Sequence, residues 1–482
     1  MKHERLSEAM EQIRDDYIDE AAAYKPRRRL PWLGAVAAVL ALVMSLGLLL
    51  KNAPAQPLLP DPDSSTPAAP LVDHTQYLVV TPQYPQVCAY PMENDFAQYE
   101  SWRANQKLLH TQPEGYADNL QTYFAHLIPT LLTQNQGENV TCSPVNIYMA
   151  LAILAESTGG ESRQQILNLL RSDSIEALRA QAGQVWQAHY NDDGLSTCVL
   201  GASVWLDQDV TYNENTVNTL AGSYYASVFR GPLGTQEMNG ALQSWLNDQT
   251  GGMLQGQAQN TKLDPNSVLA IATTVLYQVQ WQDEFWAENN TQGTFQGTSG
   301  NTQVTFMNRE LSYGPYYRAE GFSAVYLPLE DNSRMWLLLP DPGTTPEEIL
   351  ENGQVSRFFS APQTPQEIIV ELSLPKFDIS SDMDLITRLQ NMGVTDIFTP
   401  GKADFSPLLP QEDGGYVNQV RHAARVSIDE KGVTASAFTV IDRCGSGMPP
   451  QERVEFTLDR PFLFYIESQD GLPLFTGIVN EA

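Results

Sequence analysis

Residues 427–440 read SIDEKGVTASAFTV, a charged segment followed by an uncharged run of small and β-branched residues. No proline occurs between residues 430 and 448, so backbone pairing is possible along the whole run. Because strand side chains point alternately to two faces, the run is compatible with an interior strand. The core face of that strand would carry four uncharged residues: Val433, Ala435, Ala437 and Thr439.

The chain from residue 96 to Ala482 shows no low-complexity break and no internal repeat. Helical periodicity occurs early in this region, at residues 119–133, 145–156 and 162–170. Apolar runs typical of strands follow, at residues 202–206, 268–276, 335–339, 368–374 and 462–466. Since helices dominate the first third and strands the rest, the sequence predicts an α+β domain with large, mostly antiparallel sheets.

Seven more blocks rich in aromatic residues, proline and glycine lie along this domain. The first, residues 142–167, opens with Ser143 and Pro144, which suit a helix cap and a first helical turn. The others are LQSWLNDQTGGML (242–254), LAIATTVLYQVQWQDEFWAENNTQGTF (269–295), VELSLPKFDI (370–379), LQNMGVTDIFTPGKADFS (389–406), DRPFLFYI (459–466) and LFTGIVN (474–480). Together with SIDEKGVTASA, these blocks resemble the serpin family of serine protease inhibitors over nearly all of residues 115–482.

The resemblance implies a multi-sheet serpin fold with about eight or nine helices. It also implies a suicide inhibitor of serine, or alternatively cysteine, proteases, and no enzyme. The target protease would attack a reactive loop, at about residues 430–455, and form a covalent acyl complex. The cut loop would then enter the largest sheet as a new strand, which makes the uncut fold a kinetic trap. No cofactor is expected, and the protein is expected to be a monomer.

Several residues receive roles from the resemblance. The hinge of the loop would consist of Glu430, Gly432, Val433, Ala435, Ala437 and Thr439. A hydrogen-bonded "shutter" beneath the sheet would consist of Ser143, Asn146, Thr273 and His422, where Asn146 and Thr273 replace the family's usual serine and asparagine. The polar cluster is expected to persist with exchanged partners, because buried polar groups need them.

The position of the reactive bond stays open within a short window. Counting from Glu430 along the family's spacing places the bond between Ser446 and Gly447. Counting back from residue 456 places it later, where Pro449 and Pro450 make cleavage unfavourable. The alternatives within the window are Cys444, Gly445 and Met448. Small residues there favour an elastase- or subtilisin-like protease, which has a shallow first pocket.

Charge and composition exclude several functional classes. The chain has a formal net charge of −29 and no large Lys/Arg cluster, so nucleic-acid binding is not expected. There is no G-x-S-x-G, phosphate-loop or HExxH motif, and no catalytic residue or metal site is predicted. The disulfide state of Cys88, Cys142, Cys198 and Cys444 cannot be deduced from spacing.

An uncharged stretch of 21 residues, LPWLGAVAAVLALVMSLGLLL at positions 30–50, is long enough to cross a bilayer as a helix. Lys25, Arg27, Arg28 and Arg29 precede it, which predicts an N-terminus in the cytoplasm and a domain outside. A cleavable signal peptide, with a site near residues 53–55, is the alternative. We expect a signal anchor at the cell membrane of a bacterium.

The predicted organisation is therefore a cytoplasmic segment (1–29), a transmembrane helix (30–50), a Pro-rich extracytoplasmic linker (51–95) and a serpin domain (96–482). Residues 1–24 could also form a small partner-binding helix. The function expected at the cell surface is inhibition of a protease. A non-inhibitory serpin-fold binding protein is the alternative, and it predicts that cleavage of the loop adds no thermal stability.

Overall fold

The computed structural model of the protein describes residues 72–91, 95–134, 136–361, 363–411, 415–433 and 452–482. These residues belong to one compact unit, Ala69–Ala482. Its α-helices within the described ranges are α1 (Phe96–His110), α2 (Leu120–Leu132), α3 (Pro144–Ser157), α4 (Gly160–Leu170), α5 (Ile175–His189), α6 (Glu214–Ser223), α7 (Gln236–Gln249), α8 (Gln255–Asn260), α9 (Pro346–Glu351), α10 (Gln354–Ser360) and α11 (Ile386–Asn391). Short 3-10 helices occur at His74–Tyr77, Ala287–Asn289 and Asp396–Phe398.

The strands form two large sheets. The first contains β1 (Leu78–Val80), β3 (Asn191–Asp192), β4 (Thr197–Asp207), β5 (Ala226–Gly231), β6 (Leu269–Gln280), β12 (Phe377–Asp384), β13 (Arg421–Ile428) and β14 (Gly432–Val433). The second contains β2 (Val140–Cys142), β7 (Thr291–Gln296), β8 (Asn301–Arg318), β9 (Phe322–Pro328), β10 (Arg334–Pro340), β11 (Gln366–Pro375), β15 (Arg453–Thr457), β16 (Phe462–Glu467) and β17 (Pro473–Val479).

The first sheet has the strand order β1-β5-β4-β6-β14-β13-β12, with β3 beside β4. The second has the order β15-β11-β8-β9-β10-β16-β17-β2, with β7 beside β8. Most ladders in the described ranges are antiparallel, whereas β4–β5 and β11–β15 are parallel. The mostly antiparallel α+β architecture predicted from the sequence is therefore confirmed.

Helices cover both faces of the first sheet. Helix α3 starts where the Ser143 hydroxyl accepts a hydrogen bond from the Asn146 N–H, and it is buried along almost its whole length. It belongs to the main core, together with the inner faces of both sheets. Helix α7 packs on the other face of the first sheet, where Trp245 and Met238 join Trp205 and Phe229 in a second apolar cluster. The centre of this sheet is thus enclosed from two sides.

The described helices are more numerous than the eight or nine that the resemblance implied. Four of the eleven described helices, α8, α9, α10 and α11, have only six or seven residues each. Helices of two turns are too short to show a helical repeat in the sequence, so periodicity does not reveal them. Helix α9 depends instead on a capping box, in which Thr345 and Glu348 satisfy each other's backbone N–H groups.

Part of the predicted linker belongs to the fold. Strand β1 pairs with β5, so the sheet begins before the boundary at residues 95 and 96. Residues 52–75 are Pro-rich and indicate a spacer. Residues 76–95 mix aromatic residues with prolines, a pattern compatible with packing against the domain, and they supply this edge strand. Within the described ranges, no helix combines the length and apolarity that a membrane crossing requires. The predicted transmembrane helix, residues 30–50, and the predicted cytoplasmic segment lie outside those ranges.

Candidate functional site

A tight turn of residues 429–432, the hinge turn, connects β13 to β14. The Asp429 carboxylate accepts hydrogen bonds from the N–H groups of Lys431 and Gly432, at 2.8 and 3.2 Å. The Asp429 N–H donates to the Gly432 carbonyl at 3.1 Å. The turn reverses the chain, so that Val433 lies between Val279 of β6 and Ile428 of β13. Two residues of the predicted hinge are thus already a strand of the sheet.

Gly432 sits where only a glycine fits. A Cβ atom at this position would lie 2.3 Å from the Val279 carbonyl oxygen and 2.6 Å from the Gln280 Cα atom. Both contacts involve backbone of β6, which cannot rotate away as a side chain can. Any larger residue must therefore displace β14 from its neighbour. Val433, the next residue, is buried to 2% exposure.

Asp429, Glu430 and Lys431 of the hinge turn are each bound by neighbouring segments. The Trp281 indole N–H donates to the Asp429 carbonyl at 2.9 Å, and the Trp281 backbone N–H donates to the Lys431 carbonyl, also at 2.9 Å. The Glu430 carboxylate pairs with the Lys376 ammonium and accepts a hydrogen bond from the Asn290 side chain. Burial alone would raise the pKa of Glu430, but the hydrogen bonds from Lys376 and Asn290 hold it below its ordinary value. The top of β14 is therefore fixed on both sides.

Below β14, no ladder joins β6 and β13 within the described residues. We call this unpaired boundary, with the cavities on its two faces, the central slot. On the α3 side it is lined by Ile271, Thr273, Val420 and His422 from the strands and their ends, and by Leu151 of α3. On the α7 side it is lined by Ala270, Ala272, Gln419 and Ala423, and by Leu246 of α7. Within the described residues, the ladders of β6 and β13 in this region run to β14 and to their outer neighbours. The slot therefore separates the two halves of the sheet.

The predicted shutter residues meet on the α3 side of the slot. The backbone N–H of Ser143 donates to His422 Nε2 at 3.0 Å, in a fully buried contact. The Ser143 hydroxyl instead caps α3 through the Asn146 N–H. Thr273 lies on the opposite strand and lines the same cavity as His422. The structure therefore brings Ser143, Asn146 and His422 together and places Thr273 across the slot from His422.

Three buried polar atoms of the shutter lack a hydrogen-bond partner among the described residues. They are His422 Nδ1 and both polar atoms of the Asn146 side-chain amide. Burial lowers the pKa of His422 to about 4, so the ring is neutral at pH 7. Because Nε2 accepts a hydrogen bond, Nδ1 carries the proton. An unsatisfied buried polar atom costs about 1–3 kcal/mol, so this region destabilises the present arrangement.

The remaining predicted site residues lie in residues 434–451, outside the described ranges. They are Ala435, Ala437 and Thr439 of the hinge and Cys444, Gly445, Ser446, Gly447 and Met448 of the reactive-bond window. Of the four cysteines, the three in the described ranges are free, and Cys142 and Cys198 are buried. No cluster of potential metal ligands occurs in the described part of the chain.

Sequence analysis missed the partners that fix the hinge turn. Asp429 binds two N–H groups of its own turn, which an Asp two residues before a Lys-Gly pair could have indicated. Asn290 and Lys376 reach Glu430 from distant segments, and no local pattern reveals such a contact.

Comparison with known proteins identifies the class. The pattern of the family described as "Serpin (serine protease inhibitor)" matches residues 119–482, and the chain therefore belongs to the serpin family. Among its relatives, Serpin B11 of Mus musculus is 27% identical over 371 residues, which cover 72% of this chain and 94% of the relative. Antithrombin-III of Homo sapiens is 24% identical over 370 residues, with 74% and 78% covered.

The fold agrees with solved serpin structures. The native state of tengpin, a thermophilic serpin, superposes with a TM-score of 0.69 and 24% identity, and covers 82% of this chain and 98% of tengpin. The family is named for inhibition of serine proteases, so its members are in general inhibitors rather than catalysts. The slot and the hinge turn thus belong to a serpin sheet.

Proposed function

We propose that this protein is an inhibitory serpin, which traps an elastase- or subtilisin-like serine protease by inserting its cleaved loop into the central slot. The observation that supports this most is the position of β14. Its two residues are paired with β6 and β13 at the top of a slot that continues below them. A strand that extends β14 needs no rearrangement of its first residues.

The register of β14 specifies how a longer strand would fit. Val433 lies opposite Val279 and Ile428, and both ladders are antiparallel. Continued in this register, Ala435 would face Tyr277 and Val426, and Ala437 would face Val275 and Ala424. All four of these strand residues are buried, so small side chains suit the space between them. The uncharged, alternating run of residues 433–439 therefore matches the slot.

The next pair in this register supports the proposal on chemical grounds. Thr439 would lie between Thr273 and His422, beside the unpaired polar atoms of the shutter. A threonine hydroxyl both donates and accepts hydrogen bonds, so it can serve as a partner there. Insertion would then replace a costly arrangement by a paired one, which adds to the free energy gained from new strand ladders.

The trapping chemistry is supplied by the target. The protease's own nucleophile would attack the loop and form an acyl-enzyme, with the new C-terminal segment as leaving group. Insertion of the remaining loop would then move the protease before water can release it. Residues 430–446 span about 55–60 Å when extended, which suffices to cross the domain.

The test is incubation of the full chain with a panel of serine proteases of different specificity. We expect an adduct with an elastase- or subtilisin-like enzyme that survives boiling in detergent. Mass spectrometry of the released C-terminal peptide should place the cut after Ser446 or within residues 444–448. Clean cleavage without an adduct for every enzyme would overturn the proposal and favour the non-inhibitory binding protein.

We infer further that the inhibitor acts at a bacterial cell surface, anchored by residues 30–50 with the serpin domain outside. The uncharged stretch and the basic residues before it support this topology. The check is fractionation of cells that express the full chain. The protein should be recovered with membranes, and external protease should digest the domain on intact cells. A chain that lacks residues 1–51 should be recovered in the soluble fraction. Recovery of the full chain in that fraction would contradict the anchor.

A further inference from the structure

Residues 72–80, at the start of the described chain, form a short segment along one edge of the first sheet. It consists of the 3-10 helix His74–Tyr77 and β1, which pairs with the edge strand β5. In the sequence it follows the Pro-rich stretch that leads from the predicted membrane anchor. This segment contacts α7 as well as the sheet, and α7 faces the central slot.

Three side chains of the segment pack against α7 or the sheet beneath it. Val72 lies so close to Gly240 of α7 that a Cβ atom there would be 2.6 Å from Val72 Cγ2. His74 Nδ1 lies 3.6 Å from Asp248 Oδ2 near the end of α7, and its ring meets Phe229 edge-on at 5.7 Å. Tyr77 packs with Val72 against the apolar cluster under α7. The segment therefore holds α7 from one side.

The chain just after α7 is hydrogen-bonded to β13, on the other side of the central slot. The Met253 carbonyl, just after α7, accepts a hydrogen bond at 2.9 Å from Arg425 of β13. Leu246 of α7 and the Leu254 that follows it face Gln419 and Ala423 at the slot. Movement of β13 away from β6 therefore requires that α7, or its connection to β13, gives way.

In the register of β14, alternate loop residues must enter on the α7 face of the sheet. These are Thr434, Ser436, Phe438 and Val440, of which Phe438 is bulky. Since Leu246 already lines this face of the slot, insertion needs room beneath α7. The rate at which the loop inserts should therefore depend on how strongly α7 is held against the sheet.

We propose that residues 72–80 are a strap that holds α7 on the sheet and thereby slows opening of the central slot. The proposal rests on the proposed function, because it concerns how fast the loop can enter. Loosening the strap should speed insertion in the cleaved chain. It should also speed the spontaneous insertion of the uncut loop, which would inactivate the inhibitor.

The test locks the strap by a disulfide in the full chain. For Val72→Cys with Gly240→Cys, the two Cβ atoms would be 3.3 Å apart, close to the usual spacing of about 3.5–4.5 Å in disulfides. Cys88→Ser and Cys444→Ser prevent mispairing, and this double-serine background is the reference. The rate of conversion of the intact chain to a heat-stable, loop-inserted form is measured on incubation below the unfolding temperature.

We expect the oxidised lock to convert about tenfold more slowly than the same protein after reduction, with no redox effect in the reference. Tyr77→Ala should convert about tenfold faster than the unaltered chain. Tyr84→Ala is the matched control, because Tyr84 belongs to the same N-terminal region but packs on Trp186, Tyr190 and Tyr225, away from α7. It should change the rate by less than about twofold.

Equal rates for the oxidised and the reduced lock would overturn the strap while leaving the proposed function intact. Equal acceleration by Tyr77→Ala and Tyr84→Ala would show a general loss of stability rather than a hold on α7, and would also overturn it. If neither the intact nor the cleaved parent chain converts to a heat-stable form, the loop does not enter the sheet. The proposed function then fails, and the strap with it.

Discussion

The two ends of the gap between β6 and β13 differ in how their polar groups are satisfied. At the top, Glu430 and Trp281 both have partners, and Val433 fills the space between the strands, although the Asn290 amide oxygen beside Glu430 is unpaired among the described residues. At the shutter below, atoms of Asn146 and His422 are unpaired among the described residues, and cavities flank the strands. At the top, which we call the finished end, β14 joins β6 to β13. Below it, at the unfinished end, no described strand joins them.

This contrast indicates where strand insertion starts and where it gains free energy. Addition of a strand costs little free energy at the top, because the turn and the first two residues are already in register. The gain comes lower down, where each new residue would fill space and pair polar groups. A sequence can therefore favour insertion of a strand if it pairs the first residues of that strand in advance and leaves polar groups further along without partners.

Cleavage of the loop between residues 444 and 448 should give the largest effect. About ten newly paired backbone groups at roughly 1 kcal/mol each would add about 10 kcal/mol, which raises the melting temperature by at least about 10 °C. Calorimetry of intact and nicked protein measures this. An unchanged melting temperature would mean that the cleaved loop forms no new strand between β6 and β13.

Gly432→Ala should break the finished end. The added methyl group meets backbone of β6 at less than van der Waals distance, so β14 must move, at a cost of about 1–3 kcal/mol. When a protease attacks the Gly432→Ala variant, a smaller fraction of the inhibitor should form the covalent adduct and a larger fraction should be released as cleaved chain. Gly222→Ala is the control, since a Cβ atom at Gly222 has no neighbour within 4 Å. A normal adduct yield for Gly432→Ala would show that the paired hinge is dispensable.

Acid should act on the unfinished end through His422. Burial lowers its pKa to about 4 in the folded protein, against 6.5 when unfolded. The unfolded chain therefore binds the proton first, and the stabilising contribution present at neutral pH is lost as pH falls through 6.5 toward 4. Between pH 7.5 and 5 the loss for this one group is about 2 kcal/mol. Urea unfolding at several pH values measures it.

The matching variant is His422→Gln, which keeps an acceptor for the Ser143 N–H but does not titrate. The free energy of unfolding of this variant should no longer show the decrease that protonation of His422 causes between pH 7.5 and 5. His189, also buried with a pKa lowered to about 4, titrates over the same range, but it lies in α5 away from the slot. His189→Gln should reduce the pH dependence of stability while leaving the rate of loop insertion unchanged. An unaltered pH profile for His422→Gln would contradict the neutral, buried ring.

The smallest effect is expected from Glu430→Gln, which weakens the pair with Lys376 at the finished end. The Lys376 side chain is 37% exposed, so solvent screens the interaction and the loss should be about 1 kcal/mol. The lowered pKa of Glu430 means that this contribution is present above the ordinary value of 4.5 and disappears as pH falls below it. The insertion rate of the uncut loop at pH 7 should rise by less than tenfold, and no change would show that Trp281 and Asp429 hold the hinge without the pair.

Sequence alone indicated the α+β class, the family and the alternation of the hinge, because these depend on local patterns that repeat every two or every three to four residues. The strand-like run 268–276 overlaps β6 from residue 269 onward, and the run 462–466 lies within β16, as expected. The runs are apolar because both of these strands are interior strands of their sheets.

The contacts between distant segments follow from packing and could not be predicted from the sequence. The Ser143 backbone rather than its hydroxyl reaches His422, which lies 279 residues away. Strand β1 joins a sheet from within the predicted linker, residues 51–95. Such contacts depend on where packing places distant backbone, and neither residue type nor spacing encodes that position. The sequence determines which segments can become strands and helices, whereas the close packing of the whole domain determines which of their polar groups are left without partners.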